Sequence, residues 1–209
     1  MCTSYKVGDV KVFDAFSDFP LPLFDFKPEI YKDYAAPILR RAADGFSTDA
    51  ATFGMVPRKR IPPGVKVFDT MNARAESVGE RRSFSGAWKG LQLCLIPCER
   101  FYEPNYETGK PVRWRIGLAS GESLAIAGLW RAWKDEEGES LSFTMLTVSR
   151  IGVKAPGMIA VMAPVGSGVK RGFERPQECG FLLDFATAVS PFSGIGLGLR
   201  KLSPSMTMR

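Results

Sequence analysis

Cys2 directly follows the first methionine, so removal of Met1 would expose a thiol and an α-amine on one residue. The reference pKa of such an amine is about 8 and that of the thiol about 8.5, so both react near neutral pH. An N-terminal aminothiol condenses with an aldehyde: the amine forms a Schiff base, and the thiol then closes a five-membered thiazolidine ring. A cysteine near a frayed chain end is the alternative, and position 2 alone does not decide between them.

Asn72 and Arg74 lie two residues apart in the segment Asn72-Ala-Arg-Ala-Glu76. On an extended chain this spacing places both side chains on one face. An amide and a guanidinium on one face can hold a phosphate or a sugar oxygen. The alternative is a turn with a surface ion pair.

Glu103 lies between aromatic residues and a proline in Phe101-Tyr102-Glu103-Pro104. Apolar neighbours would desolvate the carboxylate and raise its pKa toward the range useful for proton transfer. The alternative is an exposed carboxylate in a loop.

Three pairs or triplets of basic residues stand out in a chain of net charge +6. If they converge, they form a surface for a polyanion; if not, they are separate solvated patches. They are Arg40-Arg41, Arg58-Lys59-Arg60 and Arg81-Arg82.

The chain contains no histidine, which excludes Ser-His-Asp and Cys-His catalysis and any histidine base. Its four cysteines have no metal-site spacing, so we predict no metal and no cofactor. Cys94, Cys98 and Cys179 are expected to be buried free thiols.

No apolar run is long enough for a membrane helix, and the amino-terminal residues lack the apolar core of a signal peptide. We therefore expect a cytoplasmic protein with no membrane partner. Nothing in the sequence demands more than a monomer.

Short apolar and alternating runs dominate the first 148 residues and predict a β-rich α+β fold. Residues 29–43 fit either a helix beginning at Pro37 or an extended segment, and 81–91 fits a helix. Residues 149–209 are rich in Gly, Pro and Ser and resemble a divergent, poorly ordered tail of a single 1–209 domain. Strands are predicted at 51–56, 65–68, 91–96, 112–118, 124–130 and 141–148, with a hairpin tip at 134–139.

The order of the motifs resembles the SRAP family, the SOS-response-associated peptidases or abasic site processing proteins. Met-Cys at the start is followed by Gly54-Met-Val-Pro57, Asn72-Ala-Arg-Ala-Glu76 and Cys98-Glu-Arg-Phe-Tyr-Glu103. Ala127-Gly-Leu-Trp130 and Phe143-Thr-Met-Leu-Thr147 complete the series, so the resemblance covers roughly residues 1–148.

The resemblance implies removal of Met1 and a covalent link between Cys2 and an abasic site in single-stranded DNA. It implies a compact α+β domain around a curved, barrel-like sheet with a basic channel. Asn72 would position the terminus and the sugar, and Glu103 would carry protons. The residues expected to contact DNA are Arg74, Arg82, Thr147 and, through phosphates, Arg58, Lys59 and Arg60.

The family carries a catalytic histidine in the segment after Thr147, and this chain has none. We therefore expect an impaired enzyme. The rival hypotheses are a non-catalytic module that binds single-stranded DNA, a peptidase acting only on its own Met1, and an inert product.

Overall fold

A computed structural model describes residues 2–106, 109–118, 121–136 and 138–148, together with the backbone of four short strands beyond them. The side chains of Asn105, Leu118 and Val148 are not described. The strands are β1 (Ser4–Lys6), β2 (Glu29–Tyr31), β3 (Ala35–Ala42), β4 (Gly45–Phe53), β5 (Asn72–Arg74), β6 (Leu93–Cys98), β7 (Arg100–Asn105), β8 (Val112–Leu118), β9 (Leu124–Asp135), β10 (Gly138–Val148), β11 (Met158–Ile159), β12 (Val161–Pro164), β13 (Leu197–Leu199) and β14 (Met206–Met208).

Five strands close into a barrel through the pairings β10–β4, β4–β3, β3–β6, β6–β9 and β9–β10. All are antiparallel except β10–β4. Residues 124–129 of β9 are apolar throughout and all buried, as strands covered on both faces should be. The predicted β-rich α+β fold with a barrel-like sheet is confirmed.

Gly128 of β9 lets the two neighbouring strands, β6 and β10, pack closely against it. A Cβ at this position would lie 2.7 Å from the carbonyl oxygen of Thr144 and 2.8 Å from Cδ1 of Ile96. Only glycine leaves room for both neighbours, so this residue is part of the packing rather than a flexible joint.

A second sheet has the strand order β14-β8-β7-β1-β2. In its antiparallel register, Ser4 of β1 lies between Tyr31 of β2 and Tyr102 of β7. Glu103 of β7 lies opposite Trp114 of β8. This sheet therefore carries the amino-terminal strand beside the segment that contains the candidate acid.

The remaining elements are short. Two 3₁₀ turns span Val10–Phe16 and Arg58–Arg60, and α1 spans Ser85–Lys89. The first 3₁₀ turn is capped by Asp9, whose carboxylate accepts a hydrogen bond from the backbone amide of Lys11. It buries Phe13 and Phe16 against the barrel.

The structure decides the one segment left open and changes two other predictions. Residues 29–43 are extended, forming β2 and β3, because β3 pairs with β4 over eight residues and with β6 on its other edge. The strand predicted at 65–68 is wrong: these residues form no strand, and Val65, Val67 and Phe68 are exposed. The predicted helix at 81–91 is reduced to α1, preceded by turns.

The prediction of a poorly ordered tail falls mainly on residues outside the described ones, as does Cys179. Four short strands of this segment are described; β11 pairs with β10, β12 with β9 and β13, and β14 with β8. In the described part of the chain, no helix has the length and apolarity needed to cross a membrane.

Candidate active site

Cys2 lies directly before β1 and is fully buried. Its Sγ donates a hydrogen bond to the carbonyl oxygen of Ser4 at 3.1 Å. The backbone amide of Thr3 reaches the carbonyl of Tyr102 at 3.4 Å, which extends the pairing of β1 with β7 toward the terminus. The second sheet therefore holds Cys2 in one place.

The thiol of Cys2 is strongly held in its protonated form. Burial, followed by the nearby charge of Glu103, raises its pKa from 9.0 to about 12. The thiol therefore stays protonated near neutral pH, whereas the thiolate is the nucleophilic form. In this conformation Cys2 is positioned but not activated.

Asn72 contacts Cys2 directly. It begins β5, which pairs in parallel with Met145, Leu146 and Thr147 of β10. Its side-chain amide Nδ2 donates to the carbonyl oxygen of Cys2 at 2.8 Å. Its Oδ1 is buried, and no hydrogen-bond partner for it lies among the described residues. Asn72 thus holds the terminal residue and keeps one acceptor available.

Glu103 lies in β7 and is only 7 % exposed, so the alternative of a loop carboxylate is wrong. Burial raises the pKa of its carboxyl above 4.5, while the positive amino terminus acts in the opposite direction. The charge of Glu103 also raises the pKa of Cys2, so the two groups are electrostatically coupled. A buried carboxyl of this kind is suited to proton transfer beside a thiol and an amine.

Arg74 and Arg82 are both exposed. Arg74 ends β5, two residues after Asn72, so the predicted extended spacing is present. Arg82 lies in a series of turns between β5 and α1, held by backbone bonds such as Ser85 to Arg81 at 2.8 Å. Both guanidinium groups are accessible to an anion.

The basic triplet does not present three free cations. The guanidinium of Arg60 pairs with Asp135 at 2.5 Å and donates to the hydroxyl of Ser140 at 3.0 Å. On β10, Met145 is the residue that pairs with Asn72. Ser140 lies five residues before Met145 on the same strand, a distance of roughly 16 Å. Arg60 is therefore engaged with the hairpin of β9 and β10, and its expected phosphate contact stays a prediction. Arg58 and Lys59 are exposed.

Arg40 is also committed within the protein, since it pairs with Asp49 at 2.8 Å and lies over the ring of Trp130 at 4.4 Å. Thr147 is 2 % exposed, and its hydroxyl donates to the carbonyl of Ala73 at 3.4 Å. Thr147 thus supports β5 from within the sheet, and the expected contact of its side chain with DNA stays a prediction.

The sequence reasoning missed a group around β1. Arg113 of β8 donates to the hydroxyl of Ser4 at 2.8 Å, pairs with Glu29, and lies 3.6 Å from the centre of the Tyr102 ring. Alternation along β8 could have placed Arg113 on the outer face. No local signal could have paired it with Ser4, which is more than a hundred positions away.

Residues 22–153, more than half of the chain, match the family model described as SOS response associated peptidase (SRAP). The chain belongs to the SRAP family. The matched region includes Asn72, Arg74 and Glu103 and begins after Cys2, so the family model by itself does not cover the candidate nucleophile.

Two curated relatives of this SRAP protein carry names that describe a role. It is 35 % identical over 94 residues to "Abasic site processing protein YobE" of Bacillus subtilis, covering 42 % of each chain. It is 35 % identical over 86 residues to "Abasic site processing protein YoqW" of Bacillus subtilis, covering 39 % of this chain and 38 % of the relative. The matches therefore span about two fifths of the relatives.

Solved structures share the fold over nearly the whole chain. A crystal structure of a protein from Bordetella bronchiseptica aligns with TM-score 0.69 and 23 % identity, covering 99 % of this chain and 98 % of that one. A protein from Bacteroides thetaiotaomicron aligns with TM-score 0.60 and 15 % identity, covering 99 % and 90 %. At these identities the likeness concerns the fold alone.

Proposed function

We propose that this SRAP protein processes abasic sites by bonding Cys2 covalently to the lesion in single-stranded DNA after Met1 is removed. The observation that carries the proposal is the contact of Asn72 with the Cys2 carbonyl, beside the buried carboxyl of Glu103. The names of the curated relatives support the substrate class.

Removal of Met1 is the step that creates the reactive group. While Met1 is attached, the nitrogen of Cys2 belongs to a peptide bond and cannot form an imine. Hydrolysis of that bond consumes one water and releases methionine, leaving a primary amine on Cys2. The hydrogen bond from Asn72 to the carbonyl keeps the new terminus in the site.

The amine then attacks the aldehyde carbon of the ring-opened sugar, and loss of one water gives the imine. The thiol of Cys2 adds across the carbon–nitrogen double bond: sulfur bonds to carbon and its proton passes to nitrogen. Glu103 would carry protons in both steps, because burial raises the pKa of its carboxyl above 4.5 and its charge acts on the thiol of Cys2. The free Oδ1 of Asn72 can accept a hydrogen bond from the amine or a sugar hydroxyl.

Two exposed arginines would hold the DNA backbone. Arg74 shares a strand with Asn72, and Arg82 follows it in the chain. Arg58 and Lys59 are exposed as well and would contact other phosphates. We place the protein in the cytoplasm and expect it to act as a monomer.

The absent histidine makes the proposed enzyme slower than a complete one. Without an imidazole, proton donation to the leaving sugar oxygen and reversal of the cross-link both lose a catalyst. We therefore expect an adduct that forms slowly and persists.

A denaturing gel tests the proposal. The full chain is incubated with a single-stranded oligonucleotide that carries one abasic site, beside Cys2→Ala and the matched control Cys94→Ala. We expect a heat-stable adduct with the original protein and Cys94→Ala, and none with Cys2→Ala or with an intact oligonucleotide. Mass spectrometry of the unreacted protein reports whether Met1 has been removed. An adduct that survives Cys2→Ala would refute the proposed nucleophile.

A non-catalytic module for single-stranded DNA is the second candidate, favoured by the buried, protonated thiol of Cys2 and the missing histidine. It predicts binding that weakens steeply with salt, is unchanged by Cys2→Ala, and yields no adduct. The same gel, combined with a binding titration, separates the two functions.

A further inference from the structure

Arg113 joins four strands around the terminus. From β8 its Nη2 donates to the hydroxyl of Ser4 in β1 at 2.8 Å and to the carboxylate of Glu29 in β2. Its guanidinium carbon lies 3.6 Å from the centre of the Tyr102 ring in β7. One side chain thus crosses the outer face of the sheet and contacts β2, β1 and β7.

The partner in β1 separates this arrangement from an ordinary surface ion pair. Exposed ion pairs contribute only about 0–1 kcal/mol, and the side chain of Arg113 is 48 % exposed. Ser4, in contrast, is fully buried, and Arg113 donates to its hydroxyl. The backbone carbonyl of Ser4 accepts the hydrogen bond of the Cys2 thiol, so a contact that holds the side chain of Ser4 also acts on the position of the nucleophile.

β1 needs such a contact because it contains only three residues, Ser4–Lys6. A strand this short has few ladder hydrogen bonds to resist fraying, and chain ends are where order is lost first. The Arg113 contact and the bond from Asn72 to the Cys2 carbonyl hold the start of the chain from two sides.

Arginine suits the position for a geometric reason. Its planar fork can stack on a tyrosine ring and donate to two acceptors at once, whereas a lysine ammonium is a point charge on a flexible stem. Glu29 is held in turn by the hydroxyl of Tyr31, which donates to its carboxylate at 2.7 Å. Hydrogen bonds therefore hold both Arg113 and its partner Glu29 in place.

We infer that Arg113 is a positioning residue for the reaction of Cys2: it holds Ser4, and through Ser4 keeps Cys2 beside Glu103 and Asn72. The inference rests on the proposed function, because the reaction it serves is the cross-link to an abasic site. Arg113 acts by fixing β1, through its contact with the hydroxyl of Ser4.

The experiment separates the rate of bond formation from DNA binding. Adduct formation is timed on a single-stranded abasic oligonucleotide at saturating protein, and affinity is measured on the intact oligonucleotide. The variants are Arg113→Gln, Arg113→Lys, Ser4→Ala and the double variant Arg113→Gln/Ser4→Ala. The matched control is Arg115→Gln, which removes an exposed charge from the same strand two residues away. Thermal unfolding is recorded for each.

Arg113→Gln should slow adduct formation at saturation about tenfold, since small displacements of reacting groups are costly. Its affinity for DNA should stay within about twofold of Arg115→Gln. Arg113→Lys should remain slow, because charge without the fork does not restore the contact. Ser4→Ala should be slow as well, and the double variant no slower than Arg113→Gln alone, which is the signature of one shared interaction.

Equal adduct rates in Arg113→Gln and Arg115→Gln would overturn the inference while leaving the proposed function intact. The inference would also be overturned if the rate loss in the double variant equalled the product of the losses in the two single variants, because Arg113 would then act independently of Ser4. No adduct from the original protein would sink the proposed function and this inference together. If Arg113→Gln does not fold, Ser4→Ala, which removes one hydroxyl, decides: a rate equal to that of the original protein contradicts the inference.

Discussion

The barrel and the five-stranded sheet bury different chemistry. In the barrel, all six residues of β6 are buried, including the free thiols Cys94 and Cys98, and the buried polar residues of β10 are hydroxyl-bearing ones. In the sheet, a thiol, a serine and a carboxyl are buried together at Cys2, Ser4 and Glu103. Among the described residues Glu103 is the one buried carboxyl, and ionisable groups with shifted pKa values cluster at functional sites, so its position near Cys2 marks the candidate site.

Substitution of Glu103 should have the largest effect on chemistry. Glu103→Gln removes the proton carrier and should slow adduct formation by roughly 10²–10⁴-fold, the usual contribution of a general acid or base. Timed denaturing gels measure it. The control is Glu139→Gln on the barrel hairpin, whose carboxylate pairs with Lys134 at 3.6 Å in solvent. A rate for Glu103→Gln within twofold of this control would remove Glu103 from the mechanism.

Substitution of Gly128 should lower the stability of the barrel and leave the chemistry of the candidate site unchanged. In Gly128→Ala the new Cβ would lie 2.7 Å from the carbonyl oxygen of Thr144, so β9 and β10 would have to move apart. We expect a loss of about 1–3 kcal/mol in the free energy of unfolding, measured with urea. The adduct rate per folded molecule should be unchanged. An unaltered midpoint would show that the barrel yields more easily than its packing indicates.

The same substitution at two arginines should change different properties: DNA binding for Arg74 and thermal stability for Arg60. Arg74→Gln should weaken binding to single-stranded DNA and lower the slope of log affinity against log salt by about 0.7, the loss of one phosphate contact. Arg60→Gln should leave that slope unchanged and lower the melting temperature, because it breaks the pair with Asp135. Salt titrations with both variants test the difference. A slope for Arg74→Gln equal to that of the original protein would mean that Arg74 does not contact the DNA backbone.

The smallest expected effect is a pH dependence of stability. Glu103 has a pKa above 4.5 in the folded protein, so the folded state binds more protons than the unfolded state. Stability should therefore fall as pH rises from about 4.5 through the raised pKa, and this slope should be smaller in Glu103→Gln. Urea unfolding of both proteins between pH 4 and 8 measures it. Identical slopes would contradict the raised pKa.

Much of the fold could be predicted because its signals are local. Alternation in 112–118 and the apolar run at 124–130 predicted β8 and the start of β9, since the side chains of a strand alternate with period two. The segment 29–43 could not be decided, because its extended form depends on pairing with distant β6 as well as adjacent β4. Val65–Phe68 has strand composition but no partner strand, so composition alone misled the prediction.

The candidate site divides in the same way. Cys2, Asn72 and Glu103 were recognisable from their motifs, and the structure places Asn72 against Cys2. Thr147 and Arg60 are residue types that can contact DNA. In the structure Thr147 is buried and Arg60 forms an ion pair, so both side chains are engaged within the protein. A residue's type states what it can do, while its neighbours decide what remains available.

The sequence by itself determined the family, the β-rich class and the residue types capable of chemistry, because motif order, strand alternation and side-chain reactivity are written along the chain. Only the tertiary structure decided that the thiol of Cys2 is buried, that Glu103 lies in a strand, and that Arg113 reaches Ser4. Burial and cross-strand contacts depend on register between segments far apart in sequence. Such pairings arise when the whole chain folds, and no local pattern encodes them.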